Sequence, residues 1–326
     1  MSLFDVMQNE VRMELTHLSV LLTEAVTALG LKRRPNGIYI DATLGGGGHS
    51  ALIASQLHGG RLIGVDQDDF AIKKATDVLA QHIDSGIMCI VKANFAQTEY
   101  IMQAAGVSQI DGILMDLGVS SFHFDDGARG FSYNHDAALD MRMDKSLDLT
   151  ARDVVNGYSE SELERIFRDY GEEKWARRIA QFVVDKRTKD PINTTFELVA
   201  IIKAAIPRAA RSDGPHPAKR VFQAIRIEVN NELGVLETAL NDYVDLLAPQ
   251  GRICVITFHS LEDRLVKNAF RRMAATCTCP REFPICTCNT QPKLEIITNK
   301  PILPSSAELE TNHRARSAKL RVAQKI

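Results

Sequence analysis

The sequence of 326 residues predicts an α/β fold, a doubly wound sheet of mostly parallel strands interrupted by an inserted all-helical block. Three observations predict it. Short apolar runs alternate with helical periodicities up to about residue 124, as in βαβ units. Between residues 124 and 224 convincing strand patterns disappear. A further apolar run, Gly251 to Phe258, then restores the strand pattern.

The elements follow in chain order. Residues 1–14 are weakly periodic and are expected to form a flexible arm. His17 to Leu31 has helical spacing and closes near Gly30. Gly37 to Leu44 is a short apolar run that enters four glycines, the pattern of a buried strand and a tight loop. A helix is expected over Ser50 to Leu57, a strand over Arg61 to Asp66, a helix over Phe70 to His82, and strands over Ile87 to Lys92 and Asp111 to Leu117. Leu149 to Ile206 reads as several amphipathic helices. The helix Glu232 to Leu247 and the turn Ala248 to Gly251 lead back to the sheet, and strands at Leu294 to Thr298 and Ala318 to Val322 end the chain. The expected domains are therefore 15–123 with 225–326, and an insert over 124–224.

Composition is that of a soluble globular protein, with 45% hydrophobic and 25% charged residues. No apolar run approaches the ~18 residues of a membrane span. The N-terminus has no basic segment leading into an apolar stretch, so a cytoplasmic protein with no membrane partner is expected. Net charge is −2, yet Arg165 to Arg220 holds 13 Lys/Arg against 7 Asp/Glu. The tail from Asn312 to Lys325 carries Arg314, Arg316, Lys319, Arg321 and Lys325 and no acid. Such stretches suit a polyanion, because neutralised phosphates release counterions, and equally suit a solvated helix face. Four of six cysteines, Cys277, Cys279, Cys286 and Cys288, form two C-x-C pairs. In a reducing compartment they point away from disulfides and toward metal, redox chemistry or no special role, and one tetrahedral structural zinc is the metal they suit.

The glycine loop, Gly45 to Gly48, follows Asp41. Glycines there let the backbone turn sharply and approach a ligand. Asp41, Asp66, Asn94-Phe95 and Asp116 each follow an apolar strand run, so a parallel sheet would bring them to one rim, outside the carboxyl ends of its strands. A carboxylate at Asp66 suits the two hydroxyls of an adenosine ribose, or the cap of the helix beginning near Phe70. An acid before the loop repels a diphosphate and attracts the sulfonium and amino group of S-adenosylmethionine, which favours that cofactor over NAD. A purely structural turn remains the alternative.

The residues at these positions make the family recognisable. The chain resembles the MraW-type small-subunit ribosomal RNA (cytosine-N4) methyltransferases from about His17 to its end. The resemblance is carried by Tyr39-Ile40-Asp41-Ala42-Thr43-Leu44-Gly45-Gly46-Gly47-Gly48-His49-Ser50, by Asp111 to Ser121, by Leu139-Asp140-Met141-Arg142-Met143-Asp144, by His216 to Ile227, by Thr257-Phe258-His259-Ser260-Leu261-Glu262-Asp263-Arg264 and by Asn312 to Arg321. It implies a Rossmann-like S-adenosylmethionine-dependent methyltransferase that methylates the exocyclic N4 of cytidine 1402 in 16S ribosomal RNA, within the small ribosomal subunit. The implied cofactor positions are Gly47, Gly48, His49, Asp66, Phe95, Asp116 and His123, the last standing where the family usually has Gln. Asp41 and Gly45 join them from the loop itself. A homodimer is compatible with the reading.

For an amino acceptor, Asp116 is the candidate catalytic residue, because a delocalised amino nitrogen must be oriented and must give up a proton. Cys89 and Cys254 lie inside strand patterns and are expected in the core, which leaves no nucleophile for a carbon-5 mechanism. His216, Lys219, Arg220, Arg226, His259 and Arg264 are the expected RNA contacts, since a base must leave its stack before chemistry. The rival readings are a DNA or small-molecule methyltransferase, a non-catalytic assembly protein and an NAD-dependent oxidoreductase.

Overall fold

A computed structural model describes residues 19–118, 129–211, 216–277, 279–280 and 287–326. The chain divides into two compact units, one running to Gly118 and resuming at Val235–Ile326, the other ending at Gly234. The expected return junction at 224/225 moves, because it would cut the continuous helix Lys219–Asn230. Val221, Phe222, Ala224, Ile225 and Val229 of that helix are buried in the core of the helical unit.

The first unit is built on a seven-stranded sheet: β1 (Ile38–Asp41), β2 (Arg61–Asp66), β3 (Met88–Lys92), β4 (Ile110–Asp116), β5 (Leu247–Thr257), β6 (Leu294–Ile296) and β7 (Lys319–Lys325). Their order is β3-β2-β1-β4-β5-β7-β6. The first five strands are parallel; β7 pairs antiparallel with β5, and β6 antiparallel with β7. Alternate residues feed separate cores on opposite faces. Ile40, Ile63, Ile113 and Val255 enter one core; Tyr39, Leu62, Leu114, Cys254 and Ile256 enter the other. A sheet covered on both faces reads as continuous apolar runs, which is why these strands were visible in the sequence. The expected turn at residues 248–251 lies inside β5, where Gln250 takes a positive φ of 64° and the register against β4 shifts.

Its helices are α1 (Leu22–Leu29), α2 (Gly48–Ala54), α3 (Asp69–Val78), α4 (Ala80–Asp84), α5 (Thr98–Ala105), α11 (Glu232–Leu246), α12 (Ser260–Met273) and α13 (Ser306–Thr311); α11 begins at the junction. The expected Phe70 to His82 helix is broken in two at Leu79. α5, α12 and α13 have no counterpart in the sequence analysis, although α12 spans 14 residues.

The helical unit holds α6 (Ala151–Gly157), α7 (Glu160–Asp169), α8 (Ala176–Arg187), α9 (Thr195–Ala205) and α10 (Lys219–Asn230). Capping boxes at Thr150/Asp153, Ser159/Glu162 and Thr194/Glu197 start three of them. Each cap contributes about 1 kcal/mol, enough to set where a short helix begins. Among the described residues no helix is long and apolar enough to cross a membrane.

Candidate active site

Asp41 ends β1, Asp66 ends β2 and Asp116 ends β4, so three acids stand at the carboxyl edge of one parallel sheet. β1 lies between β2 and β4, the place where strand order reverses in a doubly wound sheet and where ligands bind.

Asp41 is 1% exposed. Its Oδ2 accepts from Ser50 Oγ at 2.6 Å and its Oδ1 from Thr43 N at 3.3 Å, which ties both ends of the glycine loop to β1. Burial pushes its carboxyl up to about 6, against the pull of those two hydrogen bonds. The loop also hangs on β2: Leu44 N donates to Val65 O at 2.9 Å, and Gly45 N donates to Asp66 Oδ2 at 2.9 Å. Gly47 has φ of 82°, and a Cβ there would stand 3.0 Å from Leu79 Cδ1, so both backbone and packing require glycine. At Gly48 a Cβ would collide with Ser19 Oγ.

The choice left open at Asp66 is resolved by its neighbour. Asp68 is the N-cap of α3, accepting from Phe70 N at 3.1 Å. Asp66 instead takes Asp68 N at 2.9 Å on Oδ1 and Gly45 N on Oδ2. Beyond β3, Asn94 bonds Gln67 Oε1 at 2.9 Å, and Phe95 packs half-buried against the sheet core.

Asp116 N donates to Thr43 Oγ1 at 2.6 Å, locking the end of β4 to the loop. Its Oδ1 is buried and has no hydrogen-bond partner among the described residues. Oδ2 lies 3.7 Å from His49 Nδ1. Burial, then the negative charges of Asp41 and Glu262, raise the Asp116 carboxyl well above the usual carboxylate range. His49 is 5% exposed, with Nε2 3.1 Å from Val20 O, and burial lowers its imidazole to about 4. Asp116 is thus repelled by Asp41 and Glu262, and acids placed so close have an affinity for a cation.

The residues expected to touch RNA divide. Lys219 and Arg220 are exposed at the start of α10, Arg220 donating to Glu172 O at 3.1 Å. His216 stacks on Tyr133 with ring centroids 4.5 Å apart and planes at 2°. Arg264 is exposed on α12. Two others are engaged within the protein. Arg226 makes a bidentate pair with Glu232 at 2.8 and 2.9 Å and is only 14% exposed, so its guanidinium is engaged inside the protein. His259 is the N-cap of α12, its Nδ1 accepting from Glu262 N, with its side chain 10% exposed. The basic tail divides as well, Arg314 and Arg316 being exposed while its last three basic residues are engaged within the protein. Arg321 and Lys319 hold Asp263 at 2.6 and 3.2 Å, and Lys325 donates to Val244 O.

Cys277, Cys279 and Cys288 come together, whereas Cys286 and His123 lie outside the described residues, as does the arm over 1–14. Cys254 is fully buried with its thiol pushed up to about 12, and Cys89 sits in β3. Three residues at the site were not singled out from the sequence: Thr43, Ser50 and Glu262. Glu262 Oε2 accepts from Phe258 N at 2.8 Å and His259 N at 3.2 Å, closing a capping box after β5. The H-x-x-E spacing was a usable signal for it.

A family model described as the MraW methylase family matches residues 14–326. The chain is 55% identical over 311 residues to the Ribosomal RNA small subunit methyltransferase H of Brevibacillus brevis, covering 95% of this chain and 98% of the relative. It is 54% identical over 315 residues to the protein of that name from Clostridioides difficile, covering 96% and 100%. Among solved structures it is similar to a putative rRNA methylase from Clostridium thermocellum, with TM-score 0.45 and 13% identity over 95% of this chain and 100% of that one.

Proposed function

The chain belongs to the MraW methylase family, and on that premise we propose that it transfers a methyl group from S-adenosylmethionine to small-subunit ribosomal RNA, at the exocyclic N4 of one cytidine. The observation that carries the reading is the carboxyl rim of buried Asp41 and half-buried Asp66 and Asp116, with the buried Asp116 Oδ1 an acceptor in want of a donor. These residues fit a ligand with a sulfonium and an ammonium and disfavour a diphosphate.

S-adenosylmethionine, when bound, supplies an electrophilic methyl group. The protein's part is to bind, orient and accept a proton. Asp66, a carboxylate at the carboxyl end of β2, accepts the ribose hydroxyls. Gly45, Gly47, Gly48 and His49 shape the loop that the ligand meets, and Asp41 holds that loop from below. Phe95 offers an apolar face to the adenine.

A cytosine amino group is a poor nucleophile because its lone pair is delocalised into the ring. Asp116 accepts one of its N–H groups and draws the nitrogen toward a pyramidal geometry. A carboxyl whose affinity for protons is raised is the better base for this step. A carbon-5 route finds no support, because the Cys254 thiol is buried in a strand and held protonated. Lys219 and Arg220 of the helical unit, with Arg208 and Arg211 exposed before them, suit the phosphates of the substrate RNA.

The test is to incubate the protein with methyl-labelled S-adenosylmethionine and either small ribosomal subunits or naked ribosomal RNA, and to digest the product to nucleosides. Label in N4-methylcytidine is expected. Label in 5-methylcytidine, or none in RNA, overturns the proposal.

A further inference from the structure

The cysteine cluster follows α12 and shares no residue with the rim. Residues 274–293 join α12 to β6, and among those described there is neither helix nor strand. Lys293 N donates to Met273 O at 2.7 Å, so the two ends of this segment are pinned together.

Cys277, Cys279 and Cys288 bring three sulfurs within 4.8 Å of one another. The Cys277 and Cys288 sulfurs are 3.8 Å apart. Two ligands of a tetrahedral zinc, each at ~2.3 Å, stand ~3.8 Å from each other, whereas a disulfide requires ~2.05 Å. Each sulfur also accepts a hydrogen bond. Cys279 N donates to Cys277 Sγ and Thr287 N to Cys279 Sγ, both at 3.4 Å, and Thr290 Oγ1 donates to Cys288 Sγ at 3.1 Å. Donors aimed at sulfur favour the thiolate and fix its direction, as surrounding hydrogen bonds do around bound metals. Free cysteines that serve only packing are usually buried, as Cys254 is, yet Cys277 is exposed and its two neighbours are half-exposed.

We propose that Cys277, Cys279 and Cys288 hold a structural zinc ion as thiolates, clamping the segment between α12 and β6. On binding, each thiol gives its proton to solvent, and the fourth corner of the tetrahedron falls to a donor outside this trio. All-thiolate character selects zinc over the hard cations. The clamp steadies the chain where it enters β6 at the edge of the sheet.

The full chain, purified without chelator, should contain about one zinc, the stoichiometry of a single closed site. Cys277→Ser, Cys279→Ser and Cys288→Ser should each weaken zinc retention at least about tenfold in a chelator competition, as loss of a ligand or its support does. Cys89→Ser, in β3, should retain the metal in full. Cobalt substitution should give strong sulfur-to-cobalt charge-transfer absorption, which each ligand variant diminishes. Far-UV circular dichroism establishes that each variant is folded, so loss of metal is not loss of the protein. Zinc retained by the triple serine variant, a zinc-free native chain whose cluster thiols react freely, an iron–sulfur chromophore, or a disulfide within the trio would each overturn the proposal.

Discussion

His49 Nδ1 lies 3.7 Å from Asp116 Oδ2 while His49 Nε2 rests on the Val20 carbonyl at 3.1 Å. A carbonyl only accepts, so the imidazole proton is on Nε2 and Nδ1 faces the carboxyl as a bare lone pair. The imidazole is neutral near pH 7 and offers Asp116 no positive charge. Asp116 therefore keeps its raised affinity for protons until a donor arrives.

Asp116→Ala removes that acceptor. Turnover should fall by about 100-fold or more, the range of a positioned proton acceptor, with a smaller effect on S-adenosylmethionine affinity. Single-turnover methylation beside calorimetric titration of the cofactor separates the two quantities. Full turnover by the variant would remove Asp116 from the chemistry.

Asp41 and His49 make opposite contributions to the pH dependence of stability. Asp41 is raised from 3.8 to about 6, so the folded state holds its proton longer and stability falls as pH rises through that window. His49 is lowered from 6.5 to about 4, so the unfolded state binds the proton first and stability rises over nearly the same window. Each ramp is about 3 kcal/mol at 1.36 kcal/mol per unit, and the two run in opposite directions, with the raised Asp116 carboxyl adding to the falling one. Against the native chain, Asp41→Asn should shift the slope of stability with pH upward between about pH 4 and 6, and His49→Asn should shift it downward from about pH 4 to 6.5. Urea titrations across that range read the slopes directly; equal slopes in both variants would refute the assignment.

A cationic cofactor favours the ionised form of Asp41 and Asp116. Affinity for S-adenosylmethionine should therefore weaken as pH drops below about 6, and Asp41→Asn should flatten this dependence. Titration at a series of pH values provides the check.

Asp66 and Asp68 are close in sequence and distinct in role. Asp66→Ala should weaken cofactor binding by about 2 kcal/mol, the worth of charge-assisted hydrogen bonds. Asp68→Ala should cost about 1 kcal/mol of stability through its lost helix cap and leave binding nearly unchanged. Calorimetric titration and thermal unfolding on both variants distinguish the outcomes.

Lys219→Ala and Arg220→Ala should weaken RNA binding evenly across sequences and reduce the salt slope by about 1 each. Arg226→Ala should act otherwise. It strands Glu232, which is 11% exposed, and should cost about 3 kcal/mol of stability. Filter binding over a salt series, paired with unfolding curves, separates phosphate contact from internal pairing.

Much of the site was legible because strand periodicity and loop composition are local. Asp41, Asp66 and Asp116 each close an apolar run, and parallel pairing alone carries them to one edge. Thr43 and Ser50 were harder, since a hydroxyl gives no pattern until its partner carboxylate is located. The pairing of Arg226 with Glu232 and of His259 with Glu262 was not legible, because residue type alone does not show which acid lies within reach.

What the sequence by itself determined is the alternation of strands and helices, the interruption by a helical block, the acids that end the strands and the glycines that follow the first of them. Only the tertiary structure decided where charges are spent. Arg321 meets Asp263 from 58 residues away because β7 runs antiparallel beside β5, and the helix carrying Asp263 follows β5 directly. It likewise moved the domain junction to the end of a continuous helix and gathered three cysteine sulfurs into one cluster. Periodicity is set by each residue's own backbone and near neighbours, whereas an ion pair or a sulfur cluster exists only once distant segments have been packed side by side.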